Sequence, residues 1–133
     1  MNGGAVKDWM TREPAHVAED ASIGTALARM QSQDVRHLLV MEGDRLCGVL
    51  SVRDLRRLTS AMSPALLVAP VNRIMTDDPV TIAPDTPVAV AARVLLERKI
   101  GALPVRDGDE IVGIFTTADA LEALLAITER ASA

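Results

Sequence analysis

Two four-residue stretches, "SVRD" at 51–54 and "TTAD" at 116–119, each place a hydroxyl side chain three residues before an aspartate. That spacing permits two kinds of chemistry. In the first, Ser51 or Thr116 caps a helix while Asp54 or Asp119 reaches back to the amide of the cap residue. In the second, the same helix start offers amides and a field that favours anions, and the carboxylate accepts hydrogen bonds from a vicinal diol such as ribose. One geometry serves both readings, and both stay open at this point. Arg36 and His37, just ahead of "LLV", add cationic groups suited to phosphate, although polar residues at a strand entry are equally at home in solvent.

Other chemistries find little support. His16 and His37 are the only histidines, and no GxxxxGK loop is present, so no nucleophile with its base can be nominated and no enzymatic activity is expected. Cys47 is the single cysteine, which excludes an intrachain disulfide and a cysteine-based zinc cage; it sits in an apolar run and reads as core. No cofactor and no metal is expected. A formal charge of −4 with scattered carboxylates gives no field for nucleic acid, and Trp9 and Phe115 are too few to stack bases. The start, "MNGGAVKDWM", lacks the basic and apolar regions of a signal peptide, and no apolar run reaches membrane-spanning length, so a cytoplasmic location without membrane contact is expected.

What positions the two aspartates is a duplication. Sliding the chain by 65 residues sets Met10 and Thr11 on Met75 and Thr76, Pro14 on Pro79, Gly48 on Gly113, and Asp54 on Asp119 without a gap. Each copy opens on an extended stretch, "AHVA" or "VTIA", the second richer in β-branched residues. A helix follows, with Ile23, Leu27 and Met30 on one face in the first copy and Val88, Ala92 and Leu95 in the second. Thr86 ahead of Pro87 reads as the cap of the second of these helices. Then come two apolar runs joined at "EGD" or "DGD", which read as a hairpin buried on both faces. A second helix begins at Ser51 or Thr116. The expected fold is α/β, two tandem β-α-β-β-α motifs packed about a pseudo-twofold axis, with residues 1–5 a flexible start, 6–65 the first motif and 66–133 the second. Residues 57–70 complete one helix and connect the copies. With 133 residues the chain is long enough to bury roughly two-thirds of its unfolded surface unaided.

The duplicated blocks "MTREPAHVAEDASI" and "MTDDPVTIAPDTPV", then "VRHLLVMEGDRLCGVLSVRDL" and "IGALPVRDGDEIVGIFTTADAL", resemble a tandem pair of cystathionine β-synthase (CBS) domains, or Bateman module, over roughly residues 6–130. The resemblance implies two clefts that take adenosine-containing ligands: AMP, ADP, ATP, S-adenosylmethionine or NAD-type dinucleotides. It assigns ribose binding to Asp54 and Asp119 and the opening hydroxyl to Ser51 and Thr116. One cleft would add Arg36 and His37 near the phosphates and Pro79, Val80 and Thr81 against the base. The other would draw on Ile100, Gly101 and Ala102, with Pro14, Ala15 and His16. Gly101 and Ala102 stand where Arg36 and His37 stand, so the second cleft is expected to take a less charged ligand, to borrow Arg36, or to stay empty. The resemblance also implies a stand-alone regulatory sensor that pairs into a homodimer and acts on an effector protein. Leu55, Leu58, Leu121, Leu124 and Leu125 would serve either that interface or the intramolecular core. The alternative is an interaction module whose clefts are vestigial.

Overall fold

The computed structural model describes residues 4–59 and 64–132. In chain order the elements are β1 (Thr11–Arg12), β2 (His16–Ala18), α1 (Ile23–Gln33), β3 (His37–Glu42), β4 (Arg45–Ser51), α2 (Val52–Thr59), α3 (Pro64–Leu67), β5 (Thr76–Asp77), α4 (Val88–Arg98), β6 (Ala102–Asp107), β7 (Glu110–Thr116) and α5 (Thr117–Ser132). Single turns of 3-10 helix at Val6–Asp8 and Val71–Arg73 precede β1 and β5. The chain forms two compact units, one of residues 15–79 and one of residues 1–14 with 80–133.

In the unit of residues 15–79 the sheet runs β2-β3-β4-β5, with β2 parallel to β3 and the other pairs antiparallel. Val17, Ile23, Ala26, Met30, Leu38, Val40, Leu50, Leu55 and Val71 form its core. Ile23 and Met30 are buried as the helical spacing predicts, with Leu27 packed partly against them. Ser22 starts α1 by accepting the Thr25 amide at 3.0 Å. Leu55 is core, which decides the open question for that leucine. Leu66 and Ala69, in the connection between copies, also pack here, and the Ala69 carbonyl accepts the Ile23 amide at 2.9 Å. Residues 60–63 of that connection lie outside the described residues.

The other unit has the sheet order β1-β7-β6, antiparallel throughout, over a core of Val6, Val88, Ala91, Leu95, Leu103, Val105, Phe115 and Ala123. Here the extended stretch "VTIA" makes only an isolated parallel bridge, Ile82 to Val105, rather than a strand. The reason is one missing donor. In the first copy the Leu39 amide bonds the Ala15 carbonyl at 3.0 Å; Pro104 stands at the position of Leu39 and has no N–H to give. A second correction concerns Thr86. Pro87, aligned with Ser22, is the N-cap residue just ahead of α4, and it makes no side-chain cap. Thr86 lies one place outside, where its carbonyl accepts the Val6 amide at 2.8 Å.

Each unit borrows its edge from the segment that leads the other copy. The Val6 turn and β1 join the second copy, where β1 pairs with β7; the Val71 turn and β5 join the first, where β5 pairs with β4. The repeated glycine explains why these edges fit. A Cβ on Gly48 would lie 2.6 Å from the Thr76 carbonyl oxygen and 2.7 Å from Met75 Sδ; on Gly113 it would meet Thr11 oxygen at 2.7 Å and Met10 Sδ at 2.8 Å. Only a residue without a side chain lets the Met-Thr edge come so close. Both hairpins turn at a glycine with positive φ, 60° at Gly43 and 62° at Gly108. In both, one residue is inserted in the second strand, Cys47 or Val112, where the pairing register shifts.

Candidate functional site

Both hydroxyl-to-aspartate motifs sit at the junction of the last strand and the last helix of their copy, and both form the reciprocal capping arrangement. The Ser51 amide donates to Asp54 Oδ2 at 3.2 Å, and the Asp54 amide donates to Ser51 Oγ at 3.1 Å. At the second junction the Thr116 amide donates to Asp119 Oδ2 at 2.8 Å, the Thr116 hydroxyl donates to the same oxygen at 3.1 Å, and the Asp119 amide donates to Thr116 Oγ1 at 3.3 Å. Capping therefore holds each carboxylate in place. It does not exhaust it, since two carboxylate oxygens offer about four acceptor sites.

Strand pairing brings the neighbouring site residues to these junctions. His37 pairs with Ser51 across β3 and β4, and the Arg36 carbonyl accepts the Val52 amide at 2.8 Å. Ala102 pairs with Thr116 across β6 and β7, and the Gly101 carbonyl accepts the Thr117 amide at 3.0 Å. Around Asp54 the electrostatics are mixed. Burial pushes the His37 imidazole below its ordinary value of 6.5, the Asp54 carboxylate pulls it back up, and Arg36 and Arg53 lower it further. Around Asp119 no cation appears among the groups acting on it. Only 8% exposed, its carboxyl is raised by burial, held down by the two Thr116 hydrogen bonds, and raised again by Glu122. The two junctions share a backbone and differ in charge. Among the described residues no group of three or more His, Cys, Asp or Glu is arranged to hold a metal ion.

A family model for the CBS domain matches the chain twice, at residues 6–61 and 71–126. The chain belongs to the CBS-domain family. It is a tandem CBS pair, and its mixed α/β fold is that of CBS-pair structures. A CBS domain-containing protein of Dictyostelium discoideum is 30% identical over 135 residues, covering 93% of each chain. The homoserine O-acetyltransferase of Methanococcoides burtonii is 34% identical over 117 residues, 86% of this chain but 23% of that protein, so the likeness there is confined to a fraction of the enzyme. Among solved structures, CBSX2 in complex with AMP superposes with a TM-score of 0.81 at 32% identity, covering 94% of this chain and 98% of that one.

Ser51, Asp54, Arg36, His37 and Pro79 fall in one compact unit together with Ala15 and His16; Thr116, Asp119, Ile100, Gly101, Ala102, Pro14, Val80 and Thr81 fall in the other. His16 begins β2 opposite Leu39, and the Ala15 carbonyl holds β3. A charged residue at the Asp54 junction that the sequence did not single out is Arg53. It lies inside "SVRD", and its charge acts on His37; the signal was its place beside the aspartate, where the second copy has an alanine, Ala118. Cys47 packs partly against the core, and burial raises its thiol above its ordinary range, away from the reactive thiolate. No helix among the described residues is long and apolar enough to cross a membrane.

Proposed function

We propose that this CBS pair is a regulatory module that binds an adenosine-containing nucleotide at the Asp54 junction, with Asp54 on the ribose diol and Arg36 and His37 toward the phosphates. The observation that carries the reading is the pairing of His37 with Ser51. It sets an imidazole and the neighbouring Arg36 beside a carboxylate that capping already fixes. The AMP complex of CBSX2, at 32% identity, supports the ligand class. At the Asp119 junction, Gly101 and Ala102 supply no cation, so an uncharged nucleoside suits it better than a nucleotide. The module has no catalytic step of its own; it acts from the cytoplasm as a homodimer, on an effector protein, by binding ligand more tightly in one of two states.

A thermal-shift panel with AMP, ADP, ATP, S-adenosylmethionine and NAD tests the reading. Stabilisation should grow with ligand concentration, as mass action requires. Silence from all five at millimolar concentration would favour the alternative, an interaction module whose aspartates only cap helices. Turnover of any of them would make it an enzyme.

A further inference from the structure

The edge that each unit borrows is built twice, and the two builds differ at one corner. In both, the residue after the Met-Thr pair lies opposite the repeated glycine: Arg12 opposite Gly113, and Asp77 opposite Gly48. The pairing therefore holds with either charge at that place. The turn before it is equally indifferent, since Lys7 stands where the first copy has Asn72. Neither cation is needed to build the edge. In the unit of residues 1–14 and 80–133, however, the two frame a pocket of about 240 Å³ beside Val112, the residue inserted in β7.

The pocket has an apolar wall of Met10, Pro84 and Val112 and charges of both signs around it. Lys7 is already paired, its Nζ bonding Asp85 Oδ1 at 2.8 Å. Arg12 lies near enough for its charge to act on the Lys7 ammonium. Among the described residues, neither the Arg12 nor the Asp107 side chain makes a hydrogen bond or ion pair, with each other or with a third group. The first copy shows why Asp107 is left over. There its counterpart Glu42 takes Arg45 at 3.1 Å, whereas Glu110 stands at the place of Arg45 and cannot do the same.

We propose that this pocket binds a small aliphatic α-amino acid as its zwitterion, with the carboxylate on Arg12, the ammonium on Asp107 and the side chain against Met10, Pro84 and Val112. A planar guanidinium takes a carboxylate through two parallel hydrogen bonds. A ligand with a single charge would answer only one of the two unpaired groups, and a polyanion would meet Asp85 and Asp107. The volume corresponds to about eight water-sized groups at about 30 Å³ each, the size of valine or leucine rather than of a nucleotide. Four residues of strand, about 13 Å, separate Val112 from Thr116, so the pocket is distinct from the Asp119 junction and independent of nucleotide binding. Its charged rim is exposed to water, which sets the expected affinity at about millimolar.

An NMR titration of the full, isotope-labelled chain with L-leucine reads the outcome. Leucine should shift the amides of residues 7–12 and 107–112 and leave those of 51–54 unmoved. Isocaproate, which lacks the ammonium, and leucinamide, which lacks the carboxylate, should each bind at least about 10-fold more weakly. Arg12→Asp installs the residue that the first copy carries at this place, so the edge should still form, and leucine binding should be lost with the melting temperature kept. Asp107→Asn, on the exposed hairpin, should weaken leucine by at least about 10-fold as well. No shift at about 20 mM leucine, well above the expected affinity, overturns the proposal. Binding of isocaproate or inorganic phosphate as tight as that of leucine would make the pocket an anion site and overturn it too. Equal binding of leucinamide, or leucine binding that survives both substitutions, would show that Arg12 and Asp107 do not hold the zwitterion.

Discussion

Thr116 binds Asp119 twice through one oxygen: its backbone amide at 2.8 Å and its hydroxyl at 3.1 Å both donate to Asp119 Oδ2. At the equivalent position Asp54 Oδ2 accepts the Ser51 amide at 3.2 Å, and the Ser51 hydroxyl takes the Asp54 amide. Asp119 is thus held by one hydrogen bond more than Asp54, while the Asp54 carboxylate acts on the neighbouring His37 imidazole.

The stability cost of losing each carboxylate should follow that difference. Removal of a cap costs about 0.5–2 kcal/mol. Asp119→Ala should fall near the upper end and Asp54→Ala near the lower, read as separate melting-temperature losses of several degrees and a few degrees. A larger loss at Asp54 would contradict the assignment.

Acid should act on the two junctions in opposite senses. Asp119 has a raised pKa, so the folded chain holds its proton more tightly than the unfolded one; the proton-linked part of its contribution is fully present below the ordinary value of 3.8 and is lost as pH rises through the raised value, while the cap hydrogen bonds remain. His37 has a lowered pKa, so the unfolded chain binds the extra proton; stability rises with pH across the window below 6.5. Denaturation of Asp119→Asn across pH 3–6 should show the falling component removed, and His37→Gln should lose the rising component below 6.5. Unchanged pH profiles in either variant would show that the group named is not the one titrating.

Nucleotide binding near His37 should take up a fraction of a proton close to pH 6.5, because a phosphate beside a depressed imidazole favours its charged form. Titration calorimetry with AMP in buffers of different ionisation enthalpy measures this directly. Loss of the buffer dependence in His37→Gln places the phosphate at His37; its persistence places it elsewhere.

The glycine positions make a prediction about the fold alone. Gly48→Ala and Gly113→Ala each force a methyl against a backbone carbonyl oxygen nearer than 3 Å, so each should cost about 1–3 kcal/mol of stability. The near-identical surroundings predict similar losses for the two. A neutral effect at either would mean that its Met-Thr edge does not lie on the strand.

Much of this was legible before any coordinates, for a physical reason in each case. Caps at Ser51 and Thr116, hairpins at Gly43 and Gly108, and helix faces carrying Ile23 and Met30 or Val88 and Leu95 are local, fixed by spacing and turn chemistry. Pairings such as Thr11 with Ile114 are not, since nothing near residue 11 says which strand it will meet. The repeat marked Gly113 and Met10 as repeated residues without revealing that one lies on the other. "VTIA" has the better strand composition and forms the poorer strand, because the deciding residue, Pro104, lies in a different part of the sequence. At the site, Arg36 and His37 could be read from position, whereas the weight of Arg53 depends on which side of α2 faces His37.

The central claim is that Asp54 anchors an adenine nucleotide while Asp119 does not. Calorimetric titration of AMP into the intact chain, Asp54→Ala and Asp119→Ala tests it most directly. The loss of charge-assisted hydrogen bonds to a diol predicts a drop in affinity of about 10- to 100-fold for Asp54→Ala, with Asp119→Ala staying within about threefold of the intact chain. Equal losses in the two variants, or no heat from the intact chain at millimolar AMP, would contradict the account.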